Sequence, residues 1–261
     1  MSDNLVKVEK HGDVAVVTFD RGGSLNAFNQ ALIIELTKVA RSFHDDLETR
    51  AVVLTGRADA FSAGIDLKER STRDDDASSD LELREVYYRG VKLCQAWEDM
   101  PQITVAAIEG MAVGAGVALP LALDWRVMSR DAFLYVPEVK IGINLQWGAL
   151  PRLVSMVGSA RAKRICILCE RMSPEHALDW GLVDELADAG HAVDVATVLA
   201  QKAASMPPVA TRMIKEGVNA ISGALHKVSA YADADQSALS SASRDAKAAS
   251  ASFVKAVPLK A

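Results

Sequence analysis

Cysteine is scarce in this chain of 261 residues, and the three that occur form no disulfide framework. Cys166 and Cys169 make a single CxxC pair, but a structural zinc site of this kind needs a second pair of ligands. The five histidines show no His–x3–5–His spacing. Because residues 160–170 form an apolar run typical of a helix, we interpret both cysteines as small hydrophobic residues. We therefore predict no metal site and a reducing, cytoplasmic compartment.

Long apolar runs and basic blocks are also missing. No run of about eighteen apolar residues occurs without charges or glycines, so we expect no membrane partner. The N-terminal stretch MSDNLVKVEK lacks the apolar core of a secretory signal. The formal net charge is −5 and no block of five or more basic residues occurs. Nucleic acid and acidic membrane surfaces are therefore not expected as partners.

The chain is organised around residues 103–124, ITVAAIEGMAVGAGVALPLALD. This stretch opens with β-branched and small apolar residues, which is typical of a strand buried on both faces. Glycines at 110, 114 and 116 follow before the apolar residues resume. We predict a strand, a glycine turn and a helix whose first N–H groups face a negative charge. Close packing of a helix on a sheet would favour the same glycines, so both interpretations stay open.

The remaining pattern alternates between strand and helix. The predicted elements of the first half are at residues 6–9, 14–19, 27–48, 51–54, 83–97 and 103–108, followed by short strands at 124–128 and 133–136. Asn26 is predicted to cap the first helix. Beyond residue 151 helices dominate, and the last, at 224–249, is alanine- and serine-rich and needs a partner surface. This order favours parallel strands with crossover helices.

Two turns of small residues follow predicted strands. One is Ala63-Gly64, within FSAGIDL, and the other is Gly114-Ala115-Gly116. Each could offer a backbone N–H to a common oxygen. Two preorganised donors aimed at a developing oxyanion are a large catalytic effect, with one donor contributing about a hundred- to a thousand-fold in rate.

Four segments together resemble the enoyl-CoA hydratase/isomerase (crotonase) superfamily. They are FSAGIDL, AIEGMAVGAGVALPLALD, FLYVPEVKIGI and MSPEHALDWGLVDE, in that order, with a weaker match at residues 252–255. The resemblance implies an α/β fold, a crotonase-like spiral of ββα units with a helical C-terminal trimerisation region. Residues 1–195 would form the spiral core and residues 196–261 the helical region. The implied assembly is a homotrimer or a dimer of trimers.

The resemblance also implies acyl-CoA thioester substrates, with no cofactor besides the CoA of the substrate. The N–H groups of Ala63 and Ala115 would form the oxyanion hole for the thioester carbonyl. The residues expected along the CoA are Leu25, Ala27, Ala63, Gly64, Ile65, Asp66, Lys68, Gly114, Phe253 and Lys255. The last two would reach the adenine end of the CoA, either from this subunit or from a neighbouring one.

The carboxylates depart from the hydratase pattern. Hydratases of the superfamily resemble one another in carrying one glutamate at the position of Ala118 and a second at that of Glu138, and this chain keeps only Glu138. The isomerases that convert 3-enoyl to 2-enoyl thioesters resemble it more closely, with an apolar residue at Ala118. Dienoyl isomerases carry an aspartate at the position of Gln146, so that variant fits poorly. Gln146 and Trp147 are candidates for the pocket wall, although plain packing would explain them equally well.

One carboxylate suffices for an allylic shift, because the same acid can remove a proton from C2 and return it at C4. Glu138 follows Pro137 after an apolar strand, where burial would raise the pKa of its carboxyl. We therefore predict an isomerase with Glu138 as acid and base. Hydration, decarboxylation and thioester hydrolysis stay open. A non-catalytic RNA-binding relative ranks last, since helix 27–48 carries only Lys38 and Arg41 against four acids.

Overall fold

The computed structural model describes residues 5–69, 79–246, 248 and 249, and its centre is a six-stranded sheet. The strands in chain order are β1 (Val6–His11), β2 (Val14–Phe19), β3 (Ala51–Thr55), β4 (Ile103–Ile108), β5 (Met111–Val113), β6 (Trp125–Ser129), β7 (Phe133–Tyr135) and β8 (Glu185–Ala187). The six-stranded sheet has the order β1-β2-β3-β4-β6-β8, and β5 pairs with β7 in a separate sheet.

Helices cover the sheet and make up most of the C-terminal part. They are α1 (Gln30–Ser42), α2 (Asp80–Glu98), α3 (Ala115–Ala118), α4 (Ala149–Leu168), α5 (Pro174–Asp179), α6 (Ala192–Ala204), α7 (Pro208–Ser222), α8 (His226–Ala230) and α9 (Asp233–Ala242). Three 3-10 turns lie at Ser24–Asn26, Pro120–Ala122 and Glu138–Ile141. None of the described helices is long and apolar enough to cross a membrane.

The sheet is parallel except at its first edge. β1 and β2 form the predicted antiparallel hairpin, while β2, β3, β4, β6 and β8 pair in parallel. Every residue of β3 and of β4 is buried, as expected for strands covered on both faces. On one face α6 packs its alanines at four-residue intervals, all fully or almost fully buried, against the valines of four strands. Small side chains at this spacing let the helix axis approach the sheet closely.

Several predictions about local structure need correction. Asn26 does not cap α1, because Asn29 does so by accepting a hydrogen bond from the Leu32 N–H. Asn26 is instead buried in a turn in which residues 24–26 all have positive φ. A short strand, β5, separates β4 from the glycine turn, and the following helix α3 is a single turn.

The C-terminal part also differs in detail from the prediction. Strand β8 has no counterpart among the predicted elements, since its three residues are too few to show a period. The helix predicted at residues 224–249 is broken into α8 and α9. The domain boundary predicted after residue 195 falls inside α6, which packs on the sheet, and it stays a prediction.

Candidate active site

A cavity of about 560 Å³, counted up to its open mouth, lies between α1, α2 and the segment that follows β7. It is lined by Gln30, Ile33, Ile65, Val86, Tyr87, Gly90, Ala115, Ala118, Glu138, Ile143, Asn144, Leu145, Gln146 and Trp147. Among the described residues of the lining, Glu138 is the only one with a carboxylate.

The pairing of β5 with β7 brings Glu138 to the cavity. Both strands run in parallel with Val113 opposite Tyr135, so the turns that follow them lie side by side. The Gly114 N–H donates to the Tyr135 carbonyl oxygen at 2.8 Å. A Cβ atom at Gly114 would lie 2.5 Å from Glu138 Oε1, and Gly114 has a φ of 53°. Only glycine therefore fits at this position, and the carboxylate rests directly on its Cα.

The surroundings of Glu138 favour the protonated acid. Its Oε2 atom is fully buried and has no hydrogen-bond partner among the described residues. Burial removes the water that would stabilise a carboxylate, and this raises the pKa of Glu138 from 4.5 to about 7. A group with a pKa near neutrality can both accept and donate a proton, as a general acid and base must do.

The structure corrects one of the two predicted backbone donors. The Ala63 N–H already donates to the Leu25 carbonyl oxygen at 2.9 Å, and Ala63 does not line the cavity. Two residues further on, Ile65 pairs with Phe28 in a parallel bridge. In that bridge Phe28 bonds to Gly64 and Asp66, so the N–H of Ile65 itself points away from Phe28. Ile65, unlike Ala63, lies in the cavity wall.

The second predicted donor, Ala115, is the first residue of α3. Its N–H has no partner within the helix, as expected at a helix start. Neither this N–H nor that of Ile65 has a hydrogen-bond partner among the described residues. The two turns are in contact, because a Cβ atom at Gly64 would lie 2.7 Å from the Val113 carbonyl oxygen and 3.5 Å from the Ala115 nitrogen. Two unpaired N–H groups thus lie in the wall of the same cavity as Glu138.

The turn of residues 24–26 is hydrogen-bonded to the segments that surround it. The buried Asn26 side chain donates to the carbonyl oxygens of Phe19 and Phe61 at 3.1 and 3.0 Å, which ties two neighbouring segments together. Asp66 accepts hydrogen bonds from the backbone N–H groups of Lys68 and Glu69 and pairs with Arg21 at 2.6 Å. Burial opposes ionisation of Asp66, but these bonds hold the pKa of its carboxyl below the usual value.

Of the other residues predicted along the CoA, the structure buries Ala27 and Gly64, leaves Leu25 half-buried and exposes Lys68. None of these four lines the cavity, so contact with a ligand stays a prediction for each of them. Phe253 and Lys255 lie outside the described residues.

One end of the cavity is closed by Trp147. Its indole lies so close to α2 that a Cβ atom at Gly90 would be 2.0 Å from the indole nitrogen. On its other side the indole meets Phe28 edge to face, with ring centres 5.4 Å apart. Gln146 lies beside it and donates to the Asn144 side-chain oxygen at 3.2 Å. The structure therefore places both predicted pocket candidates in the wall, together with Ala118.

The prediction missed several residues of the wall, and for some of them a signal existed. Gly90 interrupts a helical pattern, and an isolated glycine there indicates the close approach of another group. Asn144 and Gln30 carry no such signal, because polar residues in loops and at helix starts are common. Among the described residues no cluster of three or more histidine, cysteine, aspartate or glutamate side chains could hold a metal ion.

Known proteins are similar to this chain over most of its length. The family model described as enoyl-CoA hydratase/isomerase matches residues 9–256. A short-chain-enoyl-CoA hydratase of Clostridium acetobutylicum is 32% identical over 220 residues, covering 84% of this chain and 82% of the relative. The structure of an enoyl-CoA hydratase from Bacillus anthracis matches with a TM-score of 0.77 at 30% identity, covering 87% of this chain and 89% of that one. An enoyl-CoA hydratase from Mycobacterium avium subsp. paratuberculosis reaches 0.85 at 25% identity over 96% of both chains. The predicted crotonase-like α/β fold is confirmed.

Replacing Glu138 by glutamine should change how stability depends on pH. An acid whose pKa is raised by folding keeps its proton in the folded state after the unfolded chain has lost it. Its contribution is therefore full below pH 4.5 and is lost as the pH rises to about 7. Relative to Glu138→Gln, the unmodified protein should lose up to about 3 kcal/mol of unfolding free energy over this interval. Urea unfolding of both proteins across the interval measures the difference, and parallel pH profiles would contradict the raised pKa.

Proposed function

This chain belongs to the enoyl-CoA hydratase/isomerase family of acyl-CoA enzymes, and on that premise we propose that it isomerises 3-enoyl-CoA to 2-enoyl-CoA thioesters. The observation that carries the proposal is the single carboxylate in the described lining of the cavity. Where a hydratase would need a second acid to help position water, Ala118 contributes a methyl group. A lone acid–base group can move a proton between two carbons without adding water.

In this proposal Glu138 takes the proton from C2 of the bound thioester and returns it at C4. Between these steps the substrate is an enolate, with its negative charge largely on the thioester oxygen. The N–H groups of Ile65 and Ala115 would bind that oxygen, because both lie in the cavity wall and neither has a partner among the described residues. Donors fixed in place before the reaction stabilise the developing charge without reorganisation.

The rest of the cavity suits such a reaction. Its apolar side chains, Ile33, Val86 and Leu145 among them, lower the local polarity, which strengthens the N–H to oxygen interactions. The raised pKa of Glu138 leaves a mixture of acid and carboxylate near neutral pH. In the same proposal Leu25, Ala27 and the turn at residues 63–66 lie along the CoA, which would enter from the mouth.

Hydration of a 2-enoyl-CoA is the second candidate, and two observations favour it. The relatives compared above are named hydratases. The amides of Asn144 and Gln146 also line the cavity and could hold a water molecule in place of the absent second carboxylate. Product analysis on matched 2-enoyl and 3-enoyl thioesters separates the two reactions, because isomerisation yields no 3-hydroxyacyl product.

We further propose that the chain assembles as a homotrimer or a dimer of trimers through α7. Unlike a typical surface helix, α7 turns its polar side towards the body of the protein. There Lys215 is buried and donates to Asp124 at 2.6 Å. The opposite side is apolar and exposed, at Val209, Met213, Ile214, Val218 and Ile221. A continuous apolar stripe on a helix needs cover, and a second copy would supply an equally apolar surface.

Glu138→Gln should lower isomerisation of a 3-enoyl-CoA about a hundred- to ten-thousand-fold, because the amide keeps the shape but cannot accept the proton. The complementary change, Ala118→Glu, should introduce measurable hydration of a 2-enoyl-CoA if the cavity accepts the larger side chain. Chromatography of the products with time gives both rates. Brisk hydration by the unmodified protein that survives Glu138→Gln would refute the proposed role of Glu138.

Ala115→Pro should lower turnover about a hundred- to a thousand-fold, because it deletes one N–H from the proposed oxyanion hole. Proline is well tolerated at the first position of a helix, and the preceding Gly114 is permissive, so the fold should persist. Ala115→Ser, which keeps the N–H, is the matched control and should stay close to normal. Circular dichroism checks the fold, and full activity in a folded Ala115→Pro would exclude this donor.

Met213→Glu combined with Val218→Glu should convert the assembly to monomers, since charges would be buried in the proposed contact. Val198→Glu is the matched control, because Val198 is equally exposed but lies on α6, outside the stripe. Light scattering after size exclusion gives the mass of each variant. A monomeric unmodified protein would refute the proposal, and so would an assembly that the double variant leaves intact.

A further inference from the structure

Trp147 occupies a backbone conformation that side chains rarely adopt. Its φ is 66°, and Gly148 after it has the same φ of 66°. A left-handed conformation at a bulky residue is strained, and it persists only where its surroundings enforce it. The conformation that places this indole in the cavity wall therefore lowers the stability of the fold.

The enforcing contacts come from α4 and α9. The buried Arg152 donates from Nη1 to the carbonyl oxygens of Trp147 and Gly148 at 3.2 and 2.9 Å. Its other nitrogens bind the Glu98 carboxylate at 2.9 and 2.7 Å, which fixes the guanidinium. The Asp233 carboxylate accepts the Gly148 N–H at 2.6 Å. Both peptide groups of the turn are thus held by side chains that are themselves buried.

The far side of the indole leaves no room for a ligand. Gly90 lets the indole lie directly on the backbone of α2, and Phe28 behind it is fully buried. The lining of the same cavity includes an apolar part made of Ile33, Val86 and Leu145. An acyl chain extending from the reacting carbons would run through this apolar part and meet the indole.

We propose that Trp147, seated on Gly90, ends the acyl-binding part of the cavity and restricts the enzyme to short-chain acyl thioesters. This inference rests on the proposed function only in taking an acyl-CoA as the ligand, and not on which reaction follows. Trp147 is then a specificity-determining residue. The arginine and aspartate that hold its turn are positioning residues, since they touch the backbone of the wall and not the ligand.

The test compares the binding of butanoyl-CoA and octanoyl-CoA, two saturated thioesters that cannot be isomerised or hydrated. Calorimetric titration is carried out on the unmodified protein, on Trp147→Gly and on Trp147→Phe. Glycine removes the indole and readily adopts a positive φ, so the backbone should keep its conformation. Phenylalanine keeps an aromatic wall and serves as the matched control. The ratio of the two affinities is taken within each protein, which cancels a general loss of binding.

The unmodified protein and Trp147→Phe should bind butanoyl-CoA more tightly. In Trp147→Gly the ratio should move towards octanoyl-CoA by about tenfold or more, since each methylene in an apolar pocket contributes at least that order. Equal or tighter binding of octanoyl-CoA by the unmodified protein would overturn the proposal, and so would an unchanged ratio in a folded Trp147→Gly. If Trp147→Gly does not fold, the relative affinities of the unmodified protein for butanoyl-CoA and octanoyl-CoA test the proposal.

Turnover assays with 3-butenoyl-CoA and 3-octenoyl-CoA keep the two proposals apart. Preferential binding of butanoyl-CoA without isomerisation of either substrate would refute the proposed reaction and leave the length limit standing. Equal turnover of both substrates would refute the length limit and leave the reaction standing.

Discussion

The site depends on the contact between the Glu138 carboxylate and the Cα of Gly114. A Cβ atom at position 114 would lie 2.5 Å from Glu138 Oε1, so the carboxylate would have to shift. The contact also takes water away from one face of the acid, which contributes to its raised pKa. The same glycine immediately precedes α3, so one residue adjoins both the acid and the Ala115 N–H. The β5–β7 pairing therefore sets the backbone positions of the two turns that carry Ala115 and Glu138.

A separate turn, at residues 24–26, positions the segment that carries the Ile65 N–H. Three consecutive residues with positive φ form the turn at 24–26, and none of them is glycine. The Asn26 amide donates to the carbonyl oxygens of Phe19, at the end of β2, and of Phe61, and these bonds stabilise the turn. The turn then presents the Leu25 carbonyl to the Ala63 N–H, which fixes the segment that leads to Ile65. Strain in one segment thus orients a functional group in another, and the hydrogen bonds of a single buried amide sustain it.

Most of the fold and part of the site could be predicted from the sequence. The strands β2, β3 and β4 have strong patterns because they are buried on both faces, and Glu138 follows an apolar strand directly. That the Ala63 N–H is already paired could not be predicted, since only the direction of their N–H groups separates Ala63 from Ile65. Asn26 was misassigned because asparagine is favoured both at helix caps and in left-handed turns. The role of α9 in holding the wall depends on a contact between residues 85 positions apart, which no local pattern encodes.

That last contact has a consequence for the order in which the molecule is made. The nascent chain emerges with its N-terminal part first. Five of the six sheet strands, Glu138 and the N–H groups of Ile65 and Ala115 are encoded before residue 150, while β8 follows at Glu185–Ala187. The carboxylate that fixes the Gly148 N–H arrives only with Asp233, and His226, which lies 3.3 Å from Glu98, arrives shortly before it. During synthesis the acid can therefore be in place while the wall opposite it is still loose. The contacts that hold the turn at Trp147 and Gly148 are therefore completed later in synthesis than the segments that carry Glu138, Ile65 and Ala115.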